Sequence, residues 1–229
     1  MRKHIKRISI GVLIGLAVFI GIVWLLSRTL GNHVAFYAGQ PIDYWQQQLN
    51  SHDSGASNQA FALINTRIIP QLVDQMFYDT NDSKLRLSLI EALNGLPGVQ
   101  INFTPADARR SYAAGYLGIL GPSAKPAVPA LIQVLKGKDA GVHEAAISAL
   151  GKIRTNPDVV IPLLITFLDD ENLNDEAATA LGEFGPLAKG AVPKILPLLH
   201  ARDSDARQAA REALKKIDPQ SLPPKPPNN

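Results

Sequence analysis

From residue 104 onward, apolar residues return three and four positions apart, in short stretches separated by turn-forming residues. Ala146, Ala149, Leu150 and Ile153 follow that spacing in one stretch, and Val128, Leu131, Ile132 and Leu135 in another. The period is that of a helix with one buried face. Two kinds of stretch alternate, one rich in alanine and one rich in Val, Ile and Leu, and each kind keeps step with itself. Leu117, Leu150, Leu181 and Leu214 mark the alanine-rich kind at intervals of 33, 31 and 33 residues. The second kind, at 128–135, 160–167 and 192–199, recurs every 32 residues. A fixed period of this length predicts stacked helix pairs rather than one globular core.

Turn chemistry supports the pairing. "LGILGPSAKPAVP" (117–129) and "LGEFGPLAKGAVP" (181–193) place Gly121 and Gly185 just past a first helix, where a left-handed residue ends it. Pro129 and Pro193 then fall in the first turn of a second helix, where a missing N–H does no harm. Asp139, Glu171 and Asp203 stand at first-helix entries, where the macrodipole favours an acid.

Fainter units precede these. Residues 56–64 followed by 67–78 predict a helix pair with Pro70 near the start of its second helix, and 82–96 predict another first helix. The stretch 97–103 is too short for a second helix. "PIDYWQQQL" aligns Ile42, Trp45 and Leu49 on one face behind Pro41, as a helix capping the first repeat would. A ligand-stacking role for Trp45 is the sharper alternative. Lys215 and Lys216 close the last repeat, and "QSLPPKPPNN" reads as a proline-rich disordered tail.

An acidic entry, paired alanines, "ALG" and then "AVP.L..LL" resemble HEAT repeats of the short bacterial, lyase-like type, over about residues 54–218. The resemblance implies an all-α fold, an α-solenoid of stacked helix pairs that serves as a binding surface for another macromolecule. It also implies that second helices line the concave side. The candidate partner surface is then Gln133, Lys136, Thr166, Lys194 and His200. The family has no common catalytic residues to carry over.

The N-terminus has a different pattern. Ile8 to Leu26 is uncharged and includes Leu13, Phe19 and Trp24. At helical rise nineteen residues span ~29 Å, the thickness of a bilayer core. With Arg2, Lys3, Lys6 and Arg7 before it, the segment predicts a single-pass signal-anchor in a bacterial inner (cytoplasmic) membrane, N-terminus in the cytoplasm and solenoid outside. Secretion after signal cleavage is the alternative. Gly11 and Gly15 form one GxxxG, which permits weak self-association in a bilayer. The expected organisation is a basic tail (1–7), an anchor (8–26), a linker and capping helix (27–53), a HEAT-repeat solenoid (54–218) and a disordered tail (219–229).

Charge and composition narrow the chemistry. The net charge of +3 comes from the residues flanking the anchor, and the body is mildly acidic without a basic stripe, so no nucleic-acid partner is expected. With no cysteine there is no disulfide, thiol catalysis or thiolate metal site. The five histidines are scattered, and one His-Glu dipeptide, His143-Glu144, falls short of the several dyads that a dinuclear iron site needs. No nucleophile elbow or phosphate loop is present. No cofactor and no catalysis are expected. The sequence points to a membrane-anchored HEAT-repeat scaffold that binds another protein, with a lyase-like HEAT-repeat enzyme or enzyme accessory binding a metal or pigment as the alternative.

Overall fold

The computed structural model describes residues 36–37, 39–79, 82, 84–95, 103–137 and 139–223. Packing divides the chain into two units, Met1–Ala35 with Thr80–Ala106, and Phe36–Asp79 with Asp107–Asn229. In the first unit one helix, α4 (Lys84–Asn94), buries Ile90. The Asp82 carboxylate there accepts a 2.7 Å hydrogen bond from the Ala106 amide.

The second unit opens with a two-residue hairpin, β1 (Phe36–Tyr37) against β2 (Gln40–Pro41), turning at Gly39. Helix α1 (Ile42–Leu49) follows at once and buries Ile42 and Trp45. The Trp45 indole N–H donates to the Tyr37 carbonyl at 2.7 Å, in a buried position. Trp45 is therefore a structural tie between hairpin and helix, and its ring is not displayed for a ligand.

Residues 54–78 differ from the expected helix pair. They form α2 (Ser54–Leu63), a wide turn over Ile64–Ile68 and α3 (Ile69–Tyr78), with no break in helical backbone between them. Asp53 caps α2 by accepting from the Gly55 and Ala56 amides. In the wide turn the Ile69 amide bonds to the Ile64 carbonyl, five residues back. The reason lies in the sequence spacing. Ala60, Ile64, Ile68, Leu72 and Met76 are all at most 2% exposed and recur every four residues. An α-helix advances ~100° per residue, so this stripe would drift by ~40° at each step. A wide turn takes up extra residues and keeps the stripe aligned. Pro70 fits directly after it, and Asn65 and Thr66 side chains satisfy the Phe61 and Ala62 carbonyls.

Beyond residue 106 the expected alternation holds. First helices are α5 (Ala106–Ile119), α7 (His143–Ile153), α9 (Asn174–Glu183) and α11 (Ser204–Ile217). Second helices are α6 (Val128–Leu135), α8 (Pro157–Thr166) and α10 (Val192–Ile195), the last tightening into a narrower turn over Leu196–His200 where Pro197 supplies no N–H. Leu117, Leu150, Leu181 and Leu214 are all 1% exposed or less. Seven-residue narrow turns at Gly121–Ala127 and Gly185–Ala191 join the pairs, and both leading glycines have φ of +56°. Arg154 holds the same place after α7 at φ +51°, a conformation that a side chain makes costly.

The acidic entries divide. Asp203 caps α11 by accepting from the Asp205 and Ala206 amides. Asp139 instead pairs with Arg110 at 2.8 Å, and α9 begins without a side-chain cap, with Asp170 bonding the Asn172 amide in the preceding turn.

First helices approach one another through glycine and alanine. A Cβ on Gly151 would lie 2.7 Å from Ala180 Cα, one on Gly118 3.0 Å from Ala149 Cα, and one on Gly182 3.1 Å from Ala213 Cα. The "LG" of each repeat is thus a leucine for the core and a glycine that admits the next backbone. In α11, against which no further first helix lies among the described residues, the position after Leu214 is Lys215.

The expected membrane placement is corrected. Among the described residues no helix is long and apolar enough to cross a membrane. The α-helices after residue 106 are 4–14 residues long, and the longer helical run of 54–78 exposes polar side chains such as Asn58, Gln59, Arg67 and Asp74. Ile8, Leu13, Phe19, Trp24 and Leu26, with Gly11 and Gly15, lie outside the described residues, as do most of 97–103 and the end of the tail.

Candidate functional site

Three consecutive first helices, α7, α9 and α11, present their outward faces side by side. Between them runs an open groove of about 730 Å³. Ser148 and Lys152 line it from α7, Asp175, Glu176, Thr179 and Glu183 from α9, and Asp205, Gln208 and Glu212 from α11. Ala180 and Ala209 lie between these polar side chains. Ala180 is also the residue that Gly151 meets. The close backbone approach therefore lies under the groove, and the small side chains leave it open.

The groove is acidic. Lys216 pairs with Glu183 at 2.7 Å and Lys215 with Glu212 at 2.6 Å, and both pairs are exposed enough to contribute little to stability. No lysine or arginine pairs with Asp175, Glu176 or Asp205 among the described residues. Glu176 bears the consequence. Burial, then its hydrogen bond and charge contact with Asp175, and lastly the charge of Glu144, raise its carboxyl from 4.5 to about 7. Near neutral pH it retains a proton for much of the time. No group of three or more His, Asp or Glu side chains among the described residues is gathered closely enough to hold a metal ion.

The residues picked from the sequence sit elsewhere. Gln133 and Lys136 are exposed at the end of α6. Thr166 is exposed at the end of α8, its hydroxyl donating 2.6 Å to the Leu163 carbonyl. Lys194 on α10 pairs with Asp169 in the turn after α8, and His200 is exposed where the next turn ends. The structure thus links the α8 and α10 ends through one of the five, and none of the five lines the groove. His143 and Asn174, at the ladder position that Arg110 and Arg207 occupy in other repeats, lie at the heads of α7 and α9. His143 sets its ring edge-on to Phe167, and Asn174 is 6% exposed. His143 thus packs against the turn that ends its own helix pair.

The groove had a signal in the sequence. Registered on the repeat leucines, Lys152, Glu183 and Lys216 all stand two residues after the leucine, and Ser148, Thr179 and Glu212 two before it. Those are outward ladders running across three repeats. Alone, each resembles an ordinary solvated residue, and only the stacking places them around one space.

Two smaller clefts, of about 470 and 490 Å³, adjoin across Phe61, Pro122 and Ser123, on α2 and the Gly121–Ala127 turn. Phe61 is 54% exposed there.

Residues 142–170 match the family described as PBS lyase HEAT-like repeat. That stretch takes in α7 and α8, one complete helix pair. Over 78 residues the chain is 36% identical to uncharacterized protein SkfG of Bacillus subtilis (strain 168), covering 34% of this chain and 46% of that protein. The chain thus matches about half the length of this curated relative. Among solved structures, the complex of CpcE and CpcF of phycocyanin lyase from Nostoc sp. PCC7120 aligns with 83% of this chain and 72% of that one, at TM-score 0.44 and 23% identity. An engineered protein aligns with 77% and 78% at TM-score 0.40 and 21% identity.

Proposed function

We propose that this chain is an accessory protein of the lyase-like HEAT type, which works by holding a protein partner in the groove across its first helices. The observation that carries the reading is the match of residues 142–170 to the PBS lyase HEAT-like repeat, because α7 within that match forms one wall of the groove. Stacked repeats suit such a task. Each helix pair contacts its neighbours, so an extended surface is held in fixed register by many small contacts. The Gly–Ala contacts hold α7, α9 and α11 together in that way.

A plain scaffold with no tie to any enzyme is the second reading, favoured by the dominance of repeat-to-repeat ladders among the described side chains. The two differ in what the partner does. The test is a crosslinked pull-down with the full chain, followed by assay of the recovered protein with and without the chain. An accessory changes the rate or the product of its partner's reaction, and its preparation carries a visible absorption band if pigment is part of that reaction. A partner whose activity is indifferent to the chain favours the scaffold. Recovery of no protein at all overturns both.

A further inference from the structure

We infer that the groove across α7, α9 and α11 receives a lysine- or arginine-bearing segment of the partner protein. The inference rests on the partner-binding reading above and names the chemistry of what binds. Charge complementarity carries it. Five carboxylates, those of Asp175, Glu176, Glu183, Asp205 and Glu212, line the groove against one ammonium group, Lys152. Lys215 and Lys216 at the margin answer Glu212 and Glu183, which leaves Asp175, Glu176 and Asp205 without a basic partner among the described residues. A soluble surface ordinarily intersperses both signs, and here one sign is concentrated where the surface is concave.

The dispersion of these carboxylates decides the kind of cation. They are spread over the outward faces of two helices and are not drawn together around one point, consistent with the lack of any three-ligand cluster. A single metal ion could not reach them together, whereas a segment with several basic side chains can address them one by one. The groove's volume of about 730 Å³ is within the range of spaces that enclose a ligand of several side chains. Ser148, Thr179 and Gln208 offer uncharged hydrogen-bonding groups between the carboxylates.

Crowding of like charges gives the site a proton linkage. The groups that face Glu176 are Asp175 on its own helix and Glu144 on α7, with Lys152 on α7 and Asp205, Gln208 and Glu212 on α11 lining the same space. The electrostatic neighbours that act on Glu176 are acidic, so a basic side chain lowered into the groove favours its ionised form. Binding therefore expels a proton near neutral pH and strengthens as pH rises from 6 toward 8.

The experiment uses the full chain and a fluorescein-labelled helical lysine–alanine peptide as probe, at low salt. The expected result is binding that weakens with salt and weakens by about tenfold in Asp175→Asn/Glu176→Gln, a loss equivalent to one strong charge contact. Asp74→Asn/Asp158→Asn removes at least as much negative charge, from two exposed positions outside the groove, and should alter binding by less than about twofold. Circular dichroism confirms that both variants fold. Equal losses in the two double variants, or no peptide binding by the wild-type chain, overturn the inference. The partner-binding reading fails separately. If the pull-down recovers the same protein with the wild-type chain and with Asp175→Asn/Glu176→Gln, a partner exists but does not use these carboxylates.

Discussion

Replacing Gly151 by alanine sets two effects of opposite sign against each other. Alanine is the better helix former by ~1 kcal/mol. Yet its methyl would stand 2.7 Å from Ala180 Cα and 2.8 Å from Ala180 Cβ. Non-bonded carbons rest about 3.5–4.0 Å apart, so α7 and α9 must part by about 1 Å at this point. The nearest atom is backbone and has no rotamer to yield. Overpacking of this kind costs about 1–3 kcal/mol. The net expectation is a loss of about 1 kcal/mol. Gly115 in α5 provides the internal comparison, because nothing lies within 4 Å of where its Cβ would be. Gly115→Ala should stabilise by about 0.5–1 kcal/mol. Gly182, facing Ala213 at 3.1 Å, should fall between the two. Thermal unfolding followed by far-UV circular dichroism resolves these differences, since 1 kcal/mol moves Tm by about 2–4 °C in a chain of this size. Stacked repeats need not melt as one unit, so amide hydrogen exchange in α7 and α9 locates the loss. If Gly151→Ala gains as much stability as Gly115→Ala, the α7 and α9 backbones are not in close contact at Gly151 and the reasoning fails.

Other expectations follow from single observations. Arg154→Gly relieves a left-handed residue and should raise stability by about 0.5 kcal/mol in urea unfolding, after allowing for the greater freedom of glycine in the unfolded chain. Glu176 binds protons more tightly folded than unfolded, so stability should fall as pH rises from 4.5 to 7 and level off above that. Glu176→Gln should remove that part of the slope in Tm measured against pH. Arg109 grips Asp79 through two hydrogen bonds of 2.6 and 2.7 Å with both side chains mostly buried, so Arg109→Ala should cost about 1–3 kcal/mol in chemical unfolding. Arg109→Lys keeps the charge but loses the fork and should recover less than half of that loss.

Much of this architecture can be read from the repeat period. The leucine ladder, the Gly121 and Gly185 turns and the proline starts of the second helices are local rules of backbone geometry, and local rules survive transfer from sequence to structure. Residues 54–78 escaped because a spacing of four is compatible with two helices or with one helix containing a wide turn, and packing decides between them. Asp139 was legible as an acid at a helix entry, but its preference for Arg110 over the backbone is a tertiary matter. The groove was the least legible part. Its residues satisfy every rule for a solvated helix face, and their common space exists only because Gly151 and Ala180 bring α7 and α9 together. The surface chosen from the second helices rested on resemblance, and its members are spread over α6, α8 and α10 and the turns after them.

The wide turn at Ile64–Ile68 makes the rod from 54 to 78 a counting device. Most joints between helices absorb an added or missing residue by lengthening or shortening a loop. Here there is no loop. Delete one residue just below the turn, between Ile69 and Leu72, and the rest of α3 rotates by ~100° about its own axis. Leu72 and Met76 would leave the wall they now pack on, and Val73 and Phe77, each one residue later, would take their places. Along such a rod, length is converted directly into angle.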